Sequence, residues 1–208
     1  MADTKKTGTT TLGIVCKDGV VLAGDKRASL GHLAYDRVEK ILQITDHIAL
    51  TTAGSVADAQ VLAKFLKSRM ELYRLNKDMD PSIDAAVNLL SNILYGGSKN
   101  FFPYMTMFII AGKADTGWKM FSLDPSGSAL TNTFIATGSG MELALGVLEE
   151  NYKPDIDLEA GKKLAIKAMT SALRRDVFTG EGIDIAVIDK SGYRKVEYKK
   201  FKDLLRDE

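Results

Sequence analysis

Apolar positions along the chain follow two different periods, and the periods come in blocks. Thr10–Cys16 and residues 20–23 are short runs of nearly continuous apolar and threonine side chains, joined by Lys17-Asp18-Gly19. Strand, Asp-Gly turn and strand predict a β-hairpin, because Asp and Gly tolerate the dihedrals of a tight turn. Residues 41–44 and 48–53 predict a second strand pair, linked by Thr45-Asp46-His47. In all four runs apolar residues stand side by side instead of alternating, which predicts strands covered on both faces.

The period then changes. Leu62, Phe65, Leu66, Met70 and Tyr73 recur three and four residues apart, one face of a helix. Ser55 and Asp58 form its capping box, the serine oxygen taking a backbone N–H left free in the first turn. Asp80-Pro81 opens a second helix, with Ile83, Val87, Leu90 and Leu94 as its stripe and Gly96-Gly97 as its end. Strands return at 105–111, 118–123 and 130–136, with Asp124-Pro125-Ser126-Gly127 as a turn in which proline sets φ and glycine supplies φ > 0. A third helix is expected from Ser139 to about Tyr152. Asp157 caps a fourth, which buries Leu164, Ala168, Met169, Ala172 and Leu173. Residues 183–188 and 193–198 form a closing hairpin, and 201–205 a short amphipathic segment. Strands thus arrive in groups separated by helix pairs. That order predicts an α+β fold of antiparallel sheets covered by paired helices, in one domain, and argues against a Rossmann or barrel fold.

Composition narrows the function classes. Apolar residues are 45% and charged residues 26%, as in an average soluble protein. Lys plus Arg is 28 against 27 Asp plus Glu, a formal charge of +1, so the positive field of a nucleic-acid binder is absent. The longest uncharged run, residues 125–141, is too rich in Ser, Thr and Gly to span a bilayer. Neither nucleic acid nor membrane is an expected partner. One cysteine, Cys16, excludes an internal disulfide framework, and residues 1–8 lack an apolar signal region, so a cytoplasmic location is expected.

Several chemistries lack their residues. Neither common phosphate-cradling glycine loop is present, and Gly138-Ser139-Gly140 lacks the third glycine. Asp78-Met79-Asp80-Pro81 fails as a calcium loop. His32 and His47 have no partner at ligand spacing, which removes a metal site and the His-based nucleophile pairs. Cys16 reads as a small buried hydrophobe and Lys199-Lys200-Phe201-Lys202 as a solvated face. No cofactor or metal is expected.

A hydrolase without a histidine base can use the α-amino group of its own chain, whose ordinary pKa of about 7.7–8.0 lets it accept a proton near neutrality. A Thr or Ser in first position then carries nucleophile and base together, provided a leader is removed. Residues 1–8 are polar and without periodicity, and read as a tail or as such a leader. Gly8-Thr9 is the junction at which they meet a strand beginning with a hydroxyl residue.

Thr9-Thr10-Thr11-Leu12-Gly13-Ile14-Val15-Cys16-Lys17-Asp18-Gly19, continuing through Asp25-Lys26-Arg27-Ala28-Ser29, resembles the start of a proteasome β subunit of the archaeal type. Residues 51–60, Thr137-Gly138-Ser139-Gly140 and Arg175-Asp176 with Gly180 and Gly182 continue the resemblance in family order over residues 9–208. It implies a four-layer αββα sandwich, the N-terminal-nucleophile hydrolase fold, which agrees with the block order. It also implies a threonine endopeptidase, with residues 1–8 as a propeptide that cuts itself off between Gly8 and Thr9. Thr9 would be the nucleophile. Asp25 and Lys40 would be the charged pair beside it, the Gly54 N–H the oxyanion donor, and Ser139 and Asp176 the residues that orient the threonine amine. Thr179 stands where the family has serine, so the hydroxyl is kept and a methyl crowds the site.

Between Asp25 and Lys40 the chain is one residue shorter than the family spacing. Lys40-Ile41-Leu42-Gln43-Ile44 matches the following strand and aligns Lys40. Ala28, Val38, Thr52 and Val56 would line the pocket for the residue before the cut, with Val38 dependent on where the gap falls. These small or apolar groups predict a preference for apolar residues. The resemblance implies stacked heptameric rings of identical or mixed β copies, capping rings of α subunits, a regulatory unfolding ATPase acting through the α rings, and polypeptide substrates. Taken singly, the same residues have plain readings: Asp25 and Lys40 as surface charges, Gly54 as a strand-to-helix turn, Ser139 as an N-cap, Asp176 as a residue after a helix. Two other readings stand beside the protease: a structural β-type subunit that keeps its leader, and a related hydrolase of small amides.

Overall fold

The computed structural model describes residues 8–30, 33–35 and 38–199. Elements follow in the order β1 (Thr10–Cys16), β2 (Gly19–Asp25), β3 (Ala28–Leu30), β4 (Leu33–Tyr35), β5 (Ile41–Gln43), β6 (Ile48–Gly54), α1 (Val56–Lys77) and α2 (Ile83–Ser98). Then come β7 (Thr106–Ala114), β8 (Gly117–Leu123), β9 (Ala129–Thr131), β10 (Phe134–Gly138), α3 (Met141–Asn151), α4 (Leu158–Arg175), β11 (Ile183–Asp189) and β12 (Gly192–Lys199). One sheet has the order β10-β1-β2-β11-β12 and the other β5-β6-β7-β8-β9, and both are antiparallel throughout.

The period-2 geometry of a strand explains the unbroken apolar runs. On β2, Val20 and Leu22 face the core between the sheets, while Val21 and Ala23 face α3 and α4. On β7, Ile109 and Ala111 point between the sheets, while Phe108 and Ile110 pack under α1 and α2. Three apolar layers thus separate four structural layers, the expected sandwich. A polar link joins the sheets at one end. The Thr11 hydroxyl on β1 lies 2.8 Å from that of Thr51 on β6 and 2.8 Å from that of Thr137 on β10, all three buried.

The differences from the expected elements have local causes. The second helix starts slightly later than Asp80-Pro81, because the Ser82 hydroxyl accepts the Ala85 N–H and takes the cap. Gly96 and Gly97 lie inside that helix, where Gly97 packs against Tyr104 and a side chain would collide with its ring. The run expected as one strand at 130–136 divides: β9 ends the second sheet and β10 begins beside β1 in the first, so the chain changes sheets at Asn132-Thr133. The hairpin β3–β4 has no counterpart among the expected elements. Phe65 and Tyr73 are over a third exposed, and α1 buries Ala59, Leu62, Ala63, Leu66 and Met70 instead. The expectations for residues 1–7, His32 and 201–205 lie outside the described residues.

Thr11→Val keeps the shape but strips the shared partner from two buried hydroxyls, and should lower unfolding free energy by about 1–3 kcal/mol in denaturant titration. Leu22→Ala, between the sheets, should cost about 2–5 kcal/mol in the same measurement.

Candidate active site

Thr9 sits one residue before β1, which is held on both sides: Thr11 is opposite Gly24 of β2 and Thr137 of β10. Asp25 closes β2, so the hairpin that the Asp-Gly turn creates returns a carboxylate to the start of the chain. Asp25 is 1% exposed and its lone pairs are filled. Oδ1 accepts from the Thr9 hydroxyl at 2.9 Å, the Thr10 N–H at 2.9 Å and Lys40 Nζ at 2.6 Å. Oδ2 accepts from the N–H groups of Arg27 and Gly180, each at 3.1 Å. Lys40 Nζ also donates to the Arg27 carbonyl at 2.5 Å. Burial pushes the Lys40 ammonium below the usual lysine range. The charge and hydrogen bond of Asp25, and more distantly Asp176, oppose this, while Arg27 adds to it.

A second network holds the backbone of Thr9. The Ser139 and Thr179 hydroxyls both reach Asp176 Oδ2 at 2.5 Å. A carboxylate only accepts, and each hydroxyl has one proton, so both donate to Asp176. Ser139 Oγ is then left to accept the Thr9 N–H at 3.2 Å, and the Thr10 hydroxyl donates to Thr179 Oγ1 at 2.6 Å. Asp176 is fixed by the end of α4, its N–H bonding the Ala172 carbonyl at 2.8 Å. The Ser139 N–H donates to the Thr9 carbonyl at 2.7 Å. Gly138, with φ of 95°, permits that approach, since a Cβ there would lie 2.1 Å from the Thr9 oxygen. Ser139 is therefore not the N-cap of α3. That position belongs to Gly140, which makes no side-chain cap bond.

Gly54 ends β6 on the wall of a cleft of about 540 Å³ that Gly8, Thr9 and Lys40 also line. Its φ is 110°, and a Cβ would fall 2.4 Å from the Met105 carbonyl oxygen. The capping box forms by half. The Ser55 hydroxyl accepts the Asp58 N–H at 3.4 Å, but the Asp58 carboxylate turns to the Met105 N–H at 2.9 Å and ties α1 to β7.

Val38, Thr52 and Val56 line the cleft. Ala28 lies on β3, and its expected side-chain role falls outside what is described. Sequence reasoning missed Leu42, Gln60 and Lys64, which also line the cleft. Gln60 and Lys64 continue the face of α1 that begins at Val56, and this helical spacing is the signal that could have found them. Glu39 lines it too, paired with Lys195 on β12. Arg27 was also missed. Its Nη1 donates to the Val177 carbonyl at 3.2 Å and its Nη2 to Glu181 at 2.9 Å, so it ties the Asp25–Lys40 pair to the loop after α4.

Other candidate nucleophiles and ligands are set aside by their surroundings. Cys16 lies in the core under α4, where burial, then the charges of Asp18 and Asp157, push its thiol up to about 12. A thiol held protonated in this way is inert. Among the described residues no group of three or more His, Cys, Asp or Glu side chains could hold a metal.

Residues 5–188 match the family model described as proteasome subunit. Proteasome subunit beta 1 of Thermococcus onnurineus is 48% identical over 203 residues, covering 97% of this chain and 98% of that protein. Proteasome subunit beta of Ferroglobus placidus is 48% identical over 188 residues, 89% of each chain. Proteasome subunit beta of Methanothermobacter thermautotrophicus is 45% identical over 189 residues, 90% of this chain and 89% of the relative. The chain therefore belongs to the proteasome subunit family, and its similarity to archaeal β subunits runs through nearly its whole length.

Proposed function

We propose that this chain is a threonine endopeptidase subunit of a proteasome core, made as a precursor and active once it begins at Thr9. The observation that carries the reading is the convergence of the Thr9 hydroxyl and Lys40 on one buried carboxylate, Asp25, at the wall of an open cleft.

In maturation, Thr9 Oγ attacks the Gly8 carbonyl carbon, the C–N bond breaks, and the proton given up by the hydroxyl is delivered to the Thr9 nitrogen, which leaves as an amine. The acyl group now sits on Oγ as an ester. Water hydrolyses it, giving a carboxylate on Gly8 and a free amine and hydroxyl on Thr9. The nitrogen that donates to Ser139 in the precursor thereby becomes the base. In turnover that amine takes the hydroxyl proton through a water, Oγ forms an ester with the substrate acyl group, the proton passes to the departing amine, and water restores the enzyme. The Lys40 ammonium disfavours protonation of the nearby amine and favours negative charge on Oγ. The Gly54 N–H serves the oxyanion, a contribution of about 2.7–4 kcal/mol in other hydrolases. Ser139, Asp176 and Thr179 orient the amine. Ala28, Val38, Thr52 and Val56 receive the residue before the cut.

Stacked heptameric β rings under α-subunit rings, fed by an unfolding ATPase, would confine this cleavage to polypeptides threaded into a chamber. Among the described residues no helix is long and apolar enough to cross a membrane.

Intact mass of assembled particles should show the wild type starting at Thr9 and Thr9→Ala retaining residues 1–8. Retention by the assembled wild type would overturn the reading. Reporter-peptide cleavage should fall more than about 10³-fold in Thr9→Ala, as loss of a nucleophile does elsewhere. Peptides with a large apolar residue before the cut should be preferred, and equal turnover of acidic ones would contradict the pocket assignment. Because burial lowers the Lys40 pKa and the mechanism uses its charged form, kcat/KM should decline with rising pH below the usual lysine range. Lys40→Met should also destabilise the fold by about 3–5 kcal/mol, since it strands a buried carboxylate.

A further inference from the structure

Gly8 is buried, and no side chain fits on it. A Cβ built there would fall 1.8 Å from Phe178 Cβ, 2.4 Å from Phe178 Cγ and 2.9 Å from Ser139 Oγ. Contacts below 3.0 Å are relieved cheaply only when the neighbour is the far end of a flexible side chain, and here the nearest atom is a Cβ fixed to the backbone.

That backbone is anchored on every side. The Phe178 N–H donates to Asp176 Oδ1 at 3.2 Å and the Thr179 N–H to the Asp176 carbonyl at 3.3 Å. The Val177 carbonyl accepts from Arg27, and the Gly180 N–H donates to Asp25. A residue larger than glycine at position 8 therefore has two outcomes. It pushes out the loop that carries Asp176 and Thr179, or it moves its own carbonyl away from Thr9 Oγ. Both disturb self-cleavage.

We infer that Phe178 is a specificity-determining residue for maturation: its side chain, from Cβ outward, closes the space over Gly8 and admits only glycine before the nucleophile. Phe178 is a positioning residue, acting through the residue that carries the reacting carbonyl. The inference rests on the self-processing reading above. It makes a distinction that ring size alone does not. Phe178→Ala keeps the Cβ and so keeps the collision, whereas Phe178→Gly removes it.

The test follows leader loss by intact mass in the full chain, under assembly conditions in which the wild type is processed. Gly8→Ala should slow processing by at least tenfold. Gly8→Ala with Phe178→Gly should recover most of the rate, and Gly8→Ala with Phe178→Ala should not. Wild-type processing together with equally fast processing of Gly8→Ala overturns this inference alone, whereas a wild type that never processes overturns the maturation reading itself. Recovery by Phe178→Ala as good as by Phe178→Gly also overturns it. Should Phe178→Gly fail to assemble, a crystal structure of the precursor carrying both Thr9→Ala and Gly8→Ala decides. The expected result is a relative displacement of more than about 1.5 Å between Phe178 Cβ and residue 8, whichever gives way, since the built contact of 1.8 Å must open to about 3.4 Å. A Gly8→Ala methyl accommodated with both Phe178 and the residue 8 carbonyl left in place overturns the inference.

Discussion

A carboxylate withdrawn from water must find donors for its lone pairs or give up its charge. Asp25 finds five, and none is adventitious. They come from the start of β1, the residue two beyond β2, the segment before β5 and the loop after α4. Four stretches of chain, distant in sequence, are thus located by one side chain. Lys40 is drawn into the interior by the same requirement, and its partner opposes what burial would otherwise do to its proton. Asp25 is as much a constraint on the local fold as a participant in the proposed chemistry.

The sandwich supplies what that constraint needs. Each sheet is apolar on both faces, so the residues at strand ends are the first that can carry polar groups without burying them unpaired. Asp25 at the end of β2, Gly54 at the end of β6, Gly138 at the end of β10 and Thr9 just before β1 all lie at one rim. The second network runs along the same rim in one direction, with each hydroxyl donating toward Asp176. Thr9 is gripped through its side chain by one network and through its backbone by the other.

The layers were legible because buried strands and amphipathic helices differ in period, and the order of blocks excludes most alternatives. Boundaries were less legible where two signals compete. Asp80-Pro81 and Ser82 both suit a helix start, and the hydroxyl within reach of the Ala85 N–H wins. Asn132-Thr133 sits within a β-like run, yet the chain leaves one sheet for the other there, a change that no local pattern marks. The residues that gather around Thr9 were found through motif resemblance. Arg27 and Phe178 were not, because Arg27 serves the pair mainly through its backbone atoms and Phe178 through the position of one carbon. Residue type does not announce either role.

The first residue of a folded chain is ordinarily its loosest, since ends fray and fixing each residue costs about 1–2 kcal/mol of backbone entropy. Here Thr10 is already paired with Gly138, and the Thr9 carbonyl accepts from Ser139. A chain shortened to Thr9 would end one residue before a sheet strand, its terminal hydroxyl still within hydrogen-bond reach of Asp25. Cutting the proposed leader would therefore create an end without creating slack. The entropy of holding the proposed terminal nucleophile would be met by folding and not by each substrate as it binds.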